Sequence, residues 1–113
     1  LTIVQRLGRL EAVYHNILEN DNGASQADLE SFLNTYFEYL SIYAPGVKHY
    51  LAKIPSYSSV SSEPKAAING FVSDNVTLVD MENVTLRADN VHPNIIGENQ
   101  KWLNFANSFL SSL

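Results

Sequence analysis

Leu1-Thr2-Ile3-Val4-Gln5-Arg6-Leu7-Gly8-Arg9-Leu10-Glu11-Ala12-Val13-Tyr14-His15-Asn16-Ile17-Leu18 opens the chain, and its reading decides how much of the protein is helix and how much is sheet. Ile3, Leu7, Leu10, Tyr14 and Leu18 recur at helical spacing, with Arg6, Arg9 and Glu11 between them. That pattern predicts an amphipathic helix over about residues 2 to 18. Gly8 lowers helix propensity within it.

Working outward, residues 19 to 24 form a polar turn, and Ser25-Gln26-Ala27-Asp28 resembles a capping box that starts a second helix. Leu29, Phe32, Leu33, Tyr36, Phe37, Leu40 and Tyr43 give that helix a wide apolar stripe until Ala44-Pro45-Gly46 stops it. Residues 47 to 54, bounded by Pro-Gly and by Pro55 and rich in β-branched and aromatic side chains, suit a strand. A Ser-rich loop, 56 to 62, leads into a helix start at Ser62-Glu63-Pro64-Lys65, with Ala67, Ile68, Phe71 and Val72 following and Asp74-Asn75 ending it. Val76-Thr77-Leu78-Val79 reads as a short, largely buried strand. Residues 95 to 113 form a last helix carrying Ile96, Trp102, Leu103, Phe105, Ala106, Phe109 and Leu110 toward a core.

The predicted order is helix, helix, strand, helix, strand, loop, helix, which is the alternation of an α/β protein with a parallel sheet. Two strands make a sparse sheet for so many apolar helix faces, so part of the sheet is expected to come from elsewhere. The first residue is Leu1 and not Met. A processed chain, or a portion of a longer one, is therefore expected.

With 113 residues the chain suits a single domain, 1–113, or one part of a domain. Hydrophobic residues make up 45% and charged residues 17%, enough apolar side chain for a core. A formal net charge of −5 with seven scattered Lys and Arg argues against nucleic acid, whose phosphates require a concentrated basic surface. No apolar run approaches the length of a membrane span. Without cysteine there is no disulfide and no thiol chemistry. No cofactor is indicated. The compartment stays open, with a secreted location slightly favoured.

The chemistry concentrates in Asp89-Asn90-Val91-His92-Pro93-Asn94. Asp89 and His92 lie three residues apart in a loop before the last helix, and Pro93 biases His92 toward an extended backbone that presents its ring. A His base needs a carboxylate to fix its tautomer and stabilise the imidazolium it becomes, and these two residue types fit that division of labour. The blander reading, a surface histidine beside an Asx turn, explains the residue types less fully.

Asp89-x-x-His92-Pro93-Asn94, followed by Gly97 and a terminal amphipathic helix, resembles the last block of the SGNH (GDSL-type) serine hydrolases. The helix and strand over 26 to 54 and the strand leading to Asp80 stand where that family would have them, so the resemblance covers roughly residues 26 to 113. It implies the C-terminal part of a flavodoxin-like three-layer fold. It also implies hydrolysis of small esters on carbohydrates or lipids, with His92 as general base and Asp89 as its orienting carboxylate.

The family's nucleophile lies in a Gly-Asp-Ser block after its first strand. That block, the nucleophile Ser and the two later blocks whose Gly and Asn complete the oxyanion hole are expected on an N-terminal segment or a second chain that completes the fold. Gly23-Ala24-Ser25 imitates the block weakly, and Ser25 reads first as a helix cap. Asn20-Asp21 would echo the family's third block, which helps build the oxyanion hole, only if residues 12 to 18 were a strand, and Leu18 then replaces the expected Gly. His15 and His49 form no metal-ligand spacing with His92 and read as structural or surface residues. Tyr36, Phe37, Tyr39 and Tyr43 read as a core face rather than an aromatic platform. The alternative function is a non-catalytic interaction module that retains the hydrolase scaffold and binds a partner through an exposed apolar face.

Overall fold

The opening stretch is a β-hairpin and not a helix: strands β1 (Thr2–Arg6) and β2 (Arg9–His15) pair antiparallel, with a bulge between Val4 and Gln5. The structure is a computed structural model that describes residues 2–6, 8–21 and 23–113, with only the backbone of Arg6. Leu7, one member of the expected helical stripe, lies outside the described residues. Gly8 sits at the turn with φ 75°, a left-handed conformation that no helix contains and that glycine adopts freely. The helical spacing misled because β2 is covered on both faces. Ala12, Val13, Tyr14 and His15 are all buried, so the strand shows no polar alternation to betray it.

Five further elements follow: α1 (Gln26–Tyr43), β3 (Lys48–Ala52), α2 (Ser62–Asn69), β4 (Val76–Val79) and α3 (Ile95–Ser111). The expected elements over these regions are all present, with α2 ending earlier than Asp74-Asn75. The sheet order is β1-β2-β3-β4, with β2, β3 and β4 mutually parallel. From β2 onward the chain alternates strand and helix, an α/β arrangement on a mixed four-stranded sheet. The two-stranded expectation is corrected by the hairpin, which adds β2 as a third parallel strand and β1 as an antiparallel edge.

Successive residues of β3 feed opposite cores. Leu51 joins Leu29, Leu33 and Phe37 of α1 and Ala67 and Ile68 of α2 on one face. Tyr50 and Ala52 join Ala12, Tyr14, Val79 and Phe105 of α3 on the other. Each fully buried Leu, Ile or Phe contributes about 1.5–3 kcal/mol relative to exposure. Two stripes are narrower than expected. Tyr39 and Tyr43 are 59% and 71% exposed, and on α3 Ile96, Leu103 and Leu110 also face outward while Phe105 carries the burial. Among the described residues no helix is long and apolar enough to cross a membrane.

Candidate active site

The loops after β2, β3 and β4 gather at the carboxyl ends of the three parallel strands, where open α/β sheets form their clefts. A cleft there is lined by Asn16 and Glu19 after β2, by Lys53 to Pro55, Ser58 and Val60 after β3, by Met81, Val84, Leu86, Val91 and Pro93 after β4, and by Lys101 of α3. Asp89 and His92 stand beside it, His92 between the lining residues Val91 and Pro93.

The Asp89–His92 loop is built by a chain of local bonds. Leu86 and Pro93 form an isolated antiparallel bridge, and Arg87 N donates to His92 O at 2.7 Å, closing the loop at its base. Asn90 takes the left-handed conformation, φ 59°, which Asn tolerates better than most residues. Its amide donates to Tyr57 O and Ser59 Oγ, both at 2.9 Å, and its carbonyl accepts from Ser59 N at 2.8 Å. The Ser-rich loop, unremarked in the sequence beyond its composition, thus clamps the tip of the histidine loop. Lys65 of α2 holds that clamp in turn through Ser58 O at 2.7 Å.

Downstream, Asn94 caps α3 by accepting from Gly97 N at 2.8 Å. Gly97 itself is required by packing, since a Cβ there would lie 2.0 Å from the carbonyl oxygen of Thr85. The helix therefore leaves the histidine loop with its backbone pressed onto residue 85. The Gly97 of the sequence motif has a steric cause.

Within the loop, Asp89 Oδ2 meets His92 Nδ1 at 2.7 Å, while Oδ1 accepts from the backbone of Val91 at 2.9 Å and of His92 at 3.0 Å. The hydrogen bond from His92 and then the two amides hold the Asp89 carboxyl far below the usual carboxylate range. Asp89 is thereby kept ionised and aimed. An ionised partner at Nδ1 selects the tautomer that leaves Nε2 free to accept a proton. Side-chain exposures of 40% for His92 and 46% for Asp89 leave the pair accessible to a substrate.

The remaining sequence candidates separate. Ser25 is the N-cap of α1, its Oγ accepting from Asp28 N at 3.1 Å, which gives it a structural task. Asn20 and Asp21 lie in a turn beyond β2, closed by Asp21 N donating to Leu18 O at 3.1 Å; the strand on which that reading depended covers residues 12 to 15 and not 16 to 18. Leu18 has φ 71°, a left-handed conformation that glycine adopts more freely than a residue with a Cβ. His15 and His49 are buried side by side on β2 and β3, away from the loop that carries His92. Among the described residues no cluster of His, Asp and Glu has the makings of a metal site.

No family model matches the chain, and no curated protein matches it. Among solved structures it is similar to the crystal structure of a protein from Arabidopsis thaliana, with 25% sequence identity and a TM-score of 0.74. The match covers 92% of this chain and 45% of that one, so the chain spans less than half the length of the plant protein.

Proposed function

We propose that this chain is the C-terminal part of an SGNH-like serine esterase, with a flavodoxin-like three-layer fold completed by an N-terminal segment or a second chain. His92 is the general base and Asp89 its orienting carboxylate. The observation that carries the reading is the 2.7 Å bond from His92 Nδ1 to an Asp89 carboxylate whose other oxygen is fixed by two backbone amides. That arrangement readies Nε2 to take a proton from a serine hydroxyl and return it to the departing alcohol. The substrate class is a small acyl or acetyl ester on a carbohydrate or lipid.

Two further observations support it. The turn holding Asn20 comes after a strand paired parallel to β3, and its Leu18 is left-handed, a conformation compatible with the Gly that the resemblance would put there. The structural likeness to a protein more than twice as long agrees with a missing portion of the fold. Preorganised donors at an oxyanion hole act where negative charge develops, and Asn20 is the candidate donor in this chain.

The test uses the chain joined to its native upstream coding segment and a chromogenic acetyl ester. His92→Ala lowers kcat by roughly 10³-fold or more, and a fluorophosphonate labels an upstream serine. Unchanged hydrolysis in that variant refutes the assignment. So does robust turnover by the isolated chain with labelling of Ser25, which would remove the need for any missing segment. The rival reading, a non-catalytic interaction module, draws on exposed Tyr39, Ile42 and Tyr43 along α1 and gains if the His92 variant loses nothing.

A further inference from the structure

Lys101 lies one turn beyond Gly97 on α3 and is only 7% exposed, in the wall of the cleft. Burying an ammonium is costly unless its protons find acceptors. Here Nζ donates to Glu98 Oε1 at 3.2 Å and forms an ion pair with Oε2 at 3.0 Å. With the Asn16 amide turned to satisfy its neighbours, Nζ also donates to the Asn16 side-chain oxygen at 3.1 Å, and the Asn16 nitrogen donates to Glu19 Oε2 at 2.7 Å. The buried ammonium then meets the Glu98 carboxylate on its own helix and the Asn16 oxygen across the cleft. The Trp102 ring, its centre 4.7 Å from Nζ, covers the remaining side.

A methionine would fill this space without the desolvation penalty. What the ammonium adds is direction: it joins α3, which starts from the histidine loop, to the turn after β2. Asn16, Glu19, Val91 and Pro93 line one cleft, so that link fixes the two loops relative to each other. Burial pushes the Glu19 carboxyl up, with Lys101 and His92 pulling the other way, as expected of a carboxylate held near both.

We propose that Lys101 is a positioning residue, acting through Asn16 to hold the Leu18–Asp21 turn against the Asp89–His92 loop. Its catalytic consequence rests on the esterase reading, whereas the brace does not. In that reading, Lys101 sets where Asn20 stands relative to His92 without touching substrate.

The experiment has two arms. In the isolated chain, Lys101→Met and Asn16→Ala each raise amide hydrogen exchange over residues 16–21 by about tenfold, while exchange in β3 is unchanged. In the full-length protein the same variants lower kcat on the acetyl ester roughly 10- to 100-fold with KM nearly constant, and Lys101→Arg restores part of the loss. Unchanged exchange at 16–21 overturns the brace whatever the activity shows. Altered exchange with unchanged kcat overturns its catalytic role. An inactive wild-type full-length protein counts against the esterase reading, and the exchange arm still decides the brace. Should Lys101→Met fail to fold, Asn16→Ala decides, because it keeps the Lys101–Glu98 pair.

Discussion

His92 and His15 are the same side chain in opposite surroundings. His92 is half-exposed and bonded at 2.7 Å to an ionised carboxylate; His15 is 1% exposed and bonded at 3.0 Å to two neutral groups, Tyr36 OH and the ring of His49. Burial among Phe37, Tyr36 and a second imidazole opposes protonation of His15. The difference teaches that a ring's partner and its solvent, and not the ring itself, divide a histidine held open beside a carboxylate from one that packs. In the buried cluster His49 Nε2 finds no acceptor or donor among the described residues, a further reason for that ring to resist a second proton.

The largest effect expected from this contrast is acid sensitivity of the buried pair. Burial, and then His49, pulls His15 from its ordinary value of 6.5 down to about 4, and burial lowers His49 as well. Between those values the unfolded chain binds protons that the native state refuses. The His15 contribution to stability therefore falls as pH drops from about 6.5 to about 4 and levels off below. For His15 the shift of 2.5 (6.5 minus 4) at about 1.4 kcal/mol per pH unit amounts to roughly 3 kcal/mol. Urea denaturation across that range measures it. In a double variant His15→Leu, His49→Leu this part of the pH dependence disappears, and identical pH curves for wild type and variant would break the comparison.

The exposed histidine is sharpened by disturbing its seat. A Cβ added by Gly97→Ala meets the Thr85 carbonyl oxygen at 2.0 Å and the carbonyl carbon at 3.0 Å, both backbone atoms that cannot rotate away. Either α3 or the segment before the histidine loop must move, with an expected loss of about 2–3 kcal/mol. Proton NMR separates the regions: the His92 ring resonances shift while those of His15 and His49 stay. Displacement of all three rings would show that the loop and the core are not independent.

These two regions also differ in how far the sequence disclosed them. The loop was legible because Asp89, His92, Pro93 and Gly97 lie within nine residues, and each acts through neighbours close in the chain. The capping serine, α1, β3, β4 and α3 were likewise local patterns. The histidine cluster was not legible, since His15 and His49 meet only through a parallel pairing of β2 with β3 that depends on recognising β2 as a strand. Ile3, Leu10 and Tyr14 mimicked a helical stripe, and burial on both faces hid the strand's alternation. Lys101 offered no signal at all, because its partners come from its own helix and from a segment 85 residues upstream.

The smallest effect lies at Leu18, at the cleft end of the strand that buries His15. A φ of 71° costs a side chain with Cβ roughly 1–2 kcal/mol, which glycine would not pay. Against that relief stand the greater freedom of glycine in the unfolded chain, about 0.5–1 kcal/mol, and the loss of Leu18's partly buried packing against the α1 core. The terms oppose one another, so Leu18→Gly is expected to change stability by less than about 1 kcal/mol, where truncating a buried Leu to Ala usually costs about 2–5 kcal/mol. A loss of that larger size, measured by urea unfolding at pH 7, would mean that packing and not backbone strain governs this turn, tying it to the buried histidine's core. A near-neutral outcome places the turn with the exposed histidine, where conformation at the cleft outweighs burial.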